Sequence, residues 1–344
     1  MWWRSQTDPE TANTVFRLAD YFQTPGQTIP DVHGVGSTVD EEGRRVPLLV
    51  LDEALDPDYL NIEKRLLKWR WRGLIFAGGD PKNERSRLFV PLHRAGPQVE
   101  RLLENWNVPR NTRIFFSAPP EPLDAGPGAR IWAERRDATL GFRVRVGNRT
   151  VFSTAGHLVR ALPCTIVKHS RSLLGEDRIE GIGSVKFWND PKPPLALAGI
   201  GGVDVAIVEP DGNHTNGPDS EAILANPPDV PDQASVILFG AKSPNRRGWI
   251  DGALQATRAL DGRIWKNCWS VVGGHGGFAK RGDSGGPVVI DGGVVLGHLV
   301  CALGMKFWTG RFQCGLVQDI HSIVDYVESK YGTSSTILQP GLKV

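Results

Sequence analysis

The rhythm of apolar positions changes near residue 130. Beyond it, apolar-rich runs of five to eight residues recur at 139–146, 150–154, 203–208, 234–239, 286–290 and 294–300, with Gly, Pro, Asp or Asn between them. Runs of that length bounded by turn residues predict the strands of an all-β sandwich or barrel. A longer period closes the pattern. Ile320, Ile323, Val324 and Val327 recur at three- and four-residue steps and predict a helix that stops at Gly332. Upstream, 32–35 and 46–51 read as strands around the turn Asp40-Glu41-Glu42-Gly43, 61–69 and 97–106 as helices, and 73–76 and 112–116 as short strands. That alternation predicts a small α/β domain over 31–117. Residues 1–30 are polar and mixed, are broken by Pro25-Gly26, and read as a loosely attached lead-in. Residues 118–130, rich in Pro, Gly and Ala, read as a linker; 131–332 form the β-rich domain and 333–344 a tail.

Composition narrows the partners. A chain of 344 residues exceeds what one core usually serves, so more than one domain is expected. Lys and Arg number 40 against 38 acidic residues, with no basic block, so no nucleic-acid partner is expected. Lys68 with Trp69-Arg70-Trp71-Arg72 reads as a helix end docked on a core rather than a stacking platform for bases. Gly78-Gly79-Asp80-Pro81 reads as a turn, because no Gly-Lys-Ser/Thr follows it to cradle phosphate. No apolar run approaches the ~18 residues of a membrane span, so no membrane partner is expected. Met1 to Asp8 does not look like the start of a secretory signal, which points to a cytoplasmic location. Cys164, Cys268, Cys301 and Cys314 lack CxxC spacing, so they read as buried thiols; no metal and no cofactor are expected.

The chemistry concentrates in three short segments. In Gly282-Asp283-Ser284-Gly285-Gly286-Pro287 the glycines let the backbone turn tightly and present Ser284, with N–H groups free to converge on one point. The bland reading is a hairpin turn whose serine caps a backbone group. A serine hydroxyl is a weak nucleophile until a base takes its proton and an acid supports that base. Val151-Phe152-Ser153-Thr154-Ala155-Gly156-His157 supplies a histidine at the end of an apolar strand. Val203-Asp204-Val205-Ala206-Ile207-Val208 places a carboxylate in an apolar run, where burial is costly without a partner such as an imidazole N–H. Asp204 read alone could equally be a strand-end turn residue after Gly201-Gly202.

In the order His, Asp, Ser, these pieces resemble the chymotrypsin/trypsin-like serine proteases, most closely the bacterial-type, intracellular branch. Thr154-Ala155-Gly156-His157 looks like the family's histidine motif, Asp204 and its apolar followers like the aspartate motif, and 282–287 like the serine motif. The spacings of 47 and 80 residues suit the family. The resemblance covers about 130–332. It implies a mainly β fold of two six-stranded antiparallel β-barrels with a C-terminal helix, here preceded by the small α/β domain. It also implies a solvent-facing cleft between the barrels, carrying His157, Asp204 and Ser284. The backbone N–H groups of Gly282 and Ser284 are then the oxyanion donors. Phe278 falls at the base of the primary specificity pocket and Val300 and Ala302 on the strand lining it, which implies a shallow pocket for small or medium apolar side chains. Residues 1–125 are similar only in outline to the domain preceding the protease in certain intracellular trypsin-like proteins of bacteria and plants.

Departures from the family matter too. Leu158 and Lys280 stand where secreted animal enzymes place cysteines. Arg130-Ile131 lies only 26 residues before His157, too close for the family's cleavage-dependent activation, so Asp283 is expected to pair with an internal arginine, Arg143, Arg145 or Arg281. The resemblance therefore implies a serine endopeptidase acting on protein or peptide substrates, with an N-terminal regulatory domain. The alternatives are a protease-fold binding or scaffold module with an occluded site, and a self-processing protease.

Overall fold

In the computed structural model the described residues are 9–23, 31–40, 42–57, 90–103, 106–117, 121–122, 130–133, 136–171, 177–191, 202–211, 220–259, 262–274, 277–306 and 311–339. The expected helix at 61–69, the strand at 73–76 and the Trp-Arg and Gly-Gly segments lie outside them.

The chain begins with helix α1 (Pro9–Gln23), strands β1 (Val32–Val39), β2 (Arg45–Asp52) and β3 (Val90–Pro91), helix α2 (Pro97–Leu103) and strand β4 (Arg113–Ser117). The two-residue β5 (Glu121–Pro122) lies in the predicted linker. Then come β6 (Arg130–Ala133), β7 (Arg136–Thr139), β8 (Arg143–Val146), β9 (Arg149–Thr154), β10 (Thr165–Arg171), β11 (Asp177–Asn189) and β12 (Val205–Pro210). They are followed by β13 (Ser235–Leu238), β14 (Arg246–Arg258), β15 (Ile264–Gly273), β16 (Ala279–Lys280), β17 (Pro287–Ile290), β18 (Val294–Lys306) and β19 (Arg311–Asp319). Helix α3 (Ile320–Tyr331) and β20 (Ser335–Ile337) complete the order.

Two sheets result, and the fold is mainly β with a C-terminal helix, as expected. One runs β20-β8-β9-β12-β11-β10-β6-β7, antiparallel throughout. The other contains β13-β17-β18-β19-β15-β14, and β13 also pairs with β14, closing six strands into a barrel. Helix α3 is bounded where the pattern put its end. The Asp319 side chain accepts from the His321 N–H at its start, and Gly332 takes a left-handed φ of 67° at its close.

The second sheet continues past the barrel. β14 has thirteen residues and β13 only four, so β14 outruns its partner. The uncovered half of its edge pairs with β1, from Gly34↔Thr257 to Thr38↔Gly252. β2, β4 and β3 follow outward, with β2 and β4 parallel. Of the expected α/β alternation the described residues show β1, β2, α2 and β4, and their apolar side chains pack into the core of the barrel. Val35, Leu49, Ile114 and Phe116 join one apolar cluster with Val236, Leu238, Trp269 and Leu299 of the barrel. The lead-in reading also needs correction. Over 9–23 the chain is helical, and Ala12, Val15, Leu18 and Ala19 bury one face against β1, β2 and β14. Polar residues fill the other face, so mean polarity hides a stripe at helical spacing. All four cysteines are buried free thiols. Among the described residues no helix is long and apolar enough to cross a membrane.

Candidate active site

His157 is delivered by β9. After Thr154 the chain turns through Ala155 and Gly156 into a single 3₁₀ turn, Gly156–Leu158. A Cβ at Gly156 would collide with the backbone carbonyls of Asn189 and Val205, so a glycine lets this turn rest on the start of β12. There it meets Asp204. The His157 backbone N–H donates to Asp204 Oδ1 at 2.8 Å, and Nδ1 lies 2.6 Å from Oδ2. An ionised carboxylate only accepts, so Nδ1 carries a proton, and in the neutral imidazole Nε2 is the nitrogen with the lone pair.

The other sheet holds Asp204 from behind. Trp265 Nε1 on β15 donates to Oδ2 at 2.9 Å. The Asp204 N–H donates to Gln318 Oε1 on β19 at 3.2 Å, and the Asp204 carbonyl accepts from His298 Nε2 on β18 at 2.9 Å. Asp204, Trp265, His298 and Gln318 are each completely buried. Burial pushes the Asp204 carboxyl upward, but the charge and hydrogen bonds of His157, with the Trp265 indole, outweigh it and hold the group at about 2. His298 is driven down to about 4 by burial, so it is neutral at pH 7. A buried ion pair nearby ties the same two regions together: Arg263 Nε donates to Asp190 Oδ1 at 2.6 Å, two residues before Trp265.

Ser284 sits in a turn built by glycines. Gly282 and Gly285 have φ of 109° and 84°, the left-handed region that side chains avoid. The N–H of Asp283 bonds Lys280 O, that of Gly285 bonds Leu299 O, and that of Gly286 bonds Asp283 O. The Ser284 carbonyl accepts from the Thr139 N–H at 3.0 Å, and its Oγ donates to Val300 O at 3.5 Å. A Cβ on Gly285 would lie 3.0 Å from the Ala155 amide nitrogen, so the turn packs onto the strand end that carries His157. His157 and Asp204 therefore meet, and the Ser284 turn packs against the strand end that carries His157, where the two sheets face each other. The expected open cleft is not there: Ser284 is 0% exposed and His157 1%.

The expected arginine partner of Asp283 is replaced by amides. Its carboxylate accepts from the Lys242 N–H at 2.9 Å, the Lys280 N–H at 2.8 Å, and Ser243. Burial pushes this carboxyl up, and the neutral donors do not bring it back to the ordinary value. Arg145 binds Glu221 at 2.6 Å.

Phe278 is fully buried between two backbones. A Cβ on Gly248 or Gly315 would stand 2.8 or 2.7 Å from its ring. Ala302 shares its apolar cluster, whereas Val300 belongs to the cluster of Trp265 and Cys301. The ring is thus packed as core. Sequence reasoning missed Trp265 and Gln318 and passed over His298. For His298 a signal existed, an imidazole inside the apolar run 294–300, the same kind of signal that marked Asp204.

Comparison with known proteins gives structural likeness alone. No family model matches the sequence, and no curated protein matches it. The chain is similar to a solved glutamic acid-specific serine protease said to use a histidine triad in substrate binding, at 18% identity and TM-score 0.41, over 61% of this chain and 98% of that one. It is similar to an alpha-lytic protease homolog, N4, at 13% identity and TM-score 0.40, over 62% and 98%. The HtrA-type protease AlgW solved with a tripeptide is a third, at 13% identity and TM-score 0.37, over 61% and 62%.

Proposed function

We propose that this protein is a serine endopeptidase that hydrolyses peptide bonds through an acyl-enzyme. The observation carrying this reading is the doubly bonded His157–Asp204 pair at a strand end on which the turn that presents Ser284 packs. With Nδ1 bonded to the carboxylate, Nε2 of the neutral imidazole is the nitrogen available as base. In this scheme Ser284 Oγ attacks the carbonyl carbon while His157 Nε2 takes its proton. The same nitrogen returns the proton to the leaving amine, and water then repeats the cycle on the acyl-enzyme. Asp204 fixes the imidazole and stabilises its cationic form. The N–H groups of Gly282 and Ser284 serve as oxyanion donors, a contribution of ~2.7–4 kcal/mol each. In support, the N–H of the intervening Asp283 points back to Lys280. Four buried thiols fit a reducing compartment.

The burial of Ser284 and His157 favours one other reading, a protease fold serving as a binding module. A fluorophosphonate probe separates the two. The expected result is covalent labelling of the wild type, lost in Ser284→Ala with its thermal midpoint nearly unchanged, and lost in His157→Ala with a lowered midpoint, because the buried Asp204 carboxylate loses its partner. A folded protein that takes no label in any form, wild type or altered in the 118–130 linker, would establish the binding module instead.

A further inference from the structure

β18 has β19 along one side. Its opposite edge is shared by three pieces of chain in succession. β17 pairs with it from Ile290↔Val294 to Pro287↔His298, and the nucleophile turn then bonds it through Gly285 and Gly286 to Leu299. Val300 follows, its carbonyl 3.5 Å from Ser284 Oγ. Immediately beyond, at Cys301 and Ala302, the edge is occupied by β5, with Pro122 opposite Cys301 and Glu121 opposite Ala302. The position next to the nucleophile on its own side of the sheet is thus filled by this chain's linker.

The polarity of that pairing has chemical meaning. A peptide that acylates a serine must bring the C-terminal end of its acyl segment to the hydroxyl, because the carbonyl carbon is attacked there. β5 is antiparallel to β18, so passing from Glu121 to Pro122 leads from Ala302 to Cys301, toward Val300 and Ser284. A segment paired the other way would point its amino end at the nucleophile. Strand addition to a sheet edge takes its affinity from main-chain hydrogen bonds, so any extended peptide of this polarity competes for the same edge. Pro122 has no N–H to donate and is tolerated in a strand at an edge. The closed state of the site agrees, with Ser284 wholly buried.

We infer that Glu121–Pro122 is a built-in occupant of the acyl-side peptide edge, so that the chain holds its own linker as a competitor of substrate. The inference rests on the peptidase reading. A tethered competitor acts at a high effective concentration, and it lowers the apparent affinity of every peptide that needs the edge.

The test uses the full chain in three forms: wild type, Glu121→Pro, which removes the only N–H that β5 can donate, and the double change Glu121→Gly with Pro122→Gly. Each is labelled with a fluorophosphonate in the presence of a peptide aldehyde carrying the sequence Pro-Glu-Pro-Leu of residues 120–123. The expected result is faster labelling of both variants, and protection by the aldehyde at about tenfold lower concentration than in the wild type. Protection at equal concentrations in all three forms overturns the inference and leaves the peptidase reading standing. So does labelling of the wild type with loss of labelling in both variants, which makes β5 a support of the site. Labelling of none of the three sinks the peptidase reading itself.

Discussion

Asp204 lies where the two sheets face each other and takes hydrogen bonds from an imidazole and an indole. Asp283 lies in the Ser284 turn and takes them from the amides of Lys242 and Lys280 and from Ser243. Both are completely buried. Burial raises both carboxyl groups, yet Asp204 ends at about 2 while Asp283 stays above its ordinary value. What separates them is a partner that can carry positive charge. Neutral donors satisfy the lone pairs of a buried carboxylate without offsetting its lost hydration. The Asp204 corner is therefore suited to stabilising an imidazolium, and the Asp283 turn to holding a backbone shape.

The largest effect that tests this contrast is on rate. In Asp204→Asn the side-chain amide can donate to Nδ1, which favours the wrong tautomer of His157, and kcat should fall by roughly 10⁴. Peptide hydrolysis measured beside the wild type checks this, and a variant keeping a tenth of wild-type turnover would break the distinction. Asp283→Asn should act on stability instead. It faces one N–H donor with another, and the expected loss is about 1–3 kcal/mol, read from the denaturant midpoint. That is less than the roughly 3–5 kcal/mol for breaking a buried ion pair. A larger loss would mean that a cation holds the group after all.

The smallest effect is in the pH dependence of stability. The folded value of Asp204 lies below its unfolded value of 3.8, so its contribution is complete above about pH 4 and is lost as pH falls toward 2. The gap corresponds to about 2 kcal/mol. Asp283 has the opposite sign. Its raised folded value means that stability is lost as pH rises through it, and Asp283→Asn should flatten that side. Thermal midpoints between pH 2 and 7 resolve the two slopes. Trp265→Phe removes one donor from Asp204 and should shrink the acid-side slope without abolishing it. An unchanged slope would show that the indole has no hold on the carboxylate.

Much of this site was legible because it depends on short segments. The turn 282–287 needs glycines at left-handed φ, His157 needs Gly156 before it, and Asp204 stands out as a charge in an apolar run. The same holds for β9, β12, β17, β18 and α3, whose periods are plain over a few residues. β14 and β15 were not legible. In β14 arginines, glycines and alanines interrupt the alternation, and partners on both sides bury its middle. The amide cage of Asp283 and the grip of Trp265 and Gln318 on Asp204 are contacts between segments far apart in sequence. No local pattern encodes them. Helix α1 fell between the two cases, since its stripe of small and apolar residues was diluted by polar neighbours.

The pairing of β1 with β14 also sets a timetable for the growing chain. Gly34 must wait for Thr257, more than two hundred residues later, before the edge it binds exists. At the ordinary pace of synthesis, ~5–20 residues per second, the delay is roughly 11–45 s. Throughout it, α1 and β2 have left the ribosome with their apolar faces uncovered, because the barrel that covers them is unmade. A fragment ending in the linker would be caught in that state permanently, with half of a core and no strand to close it.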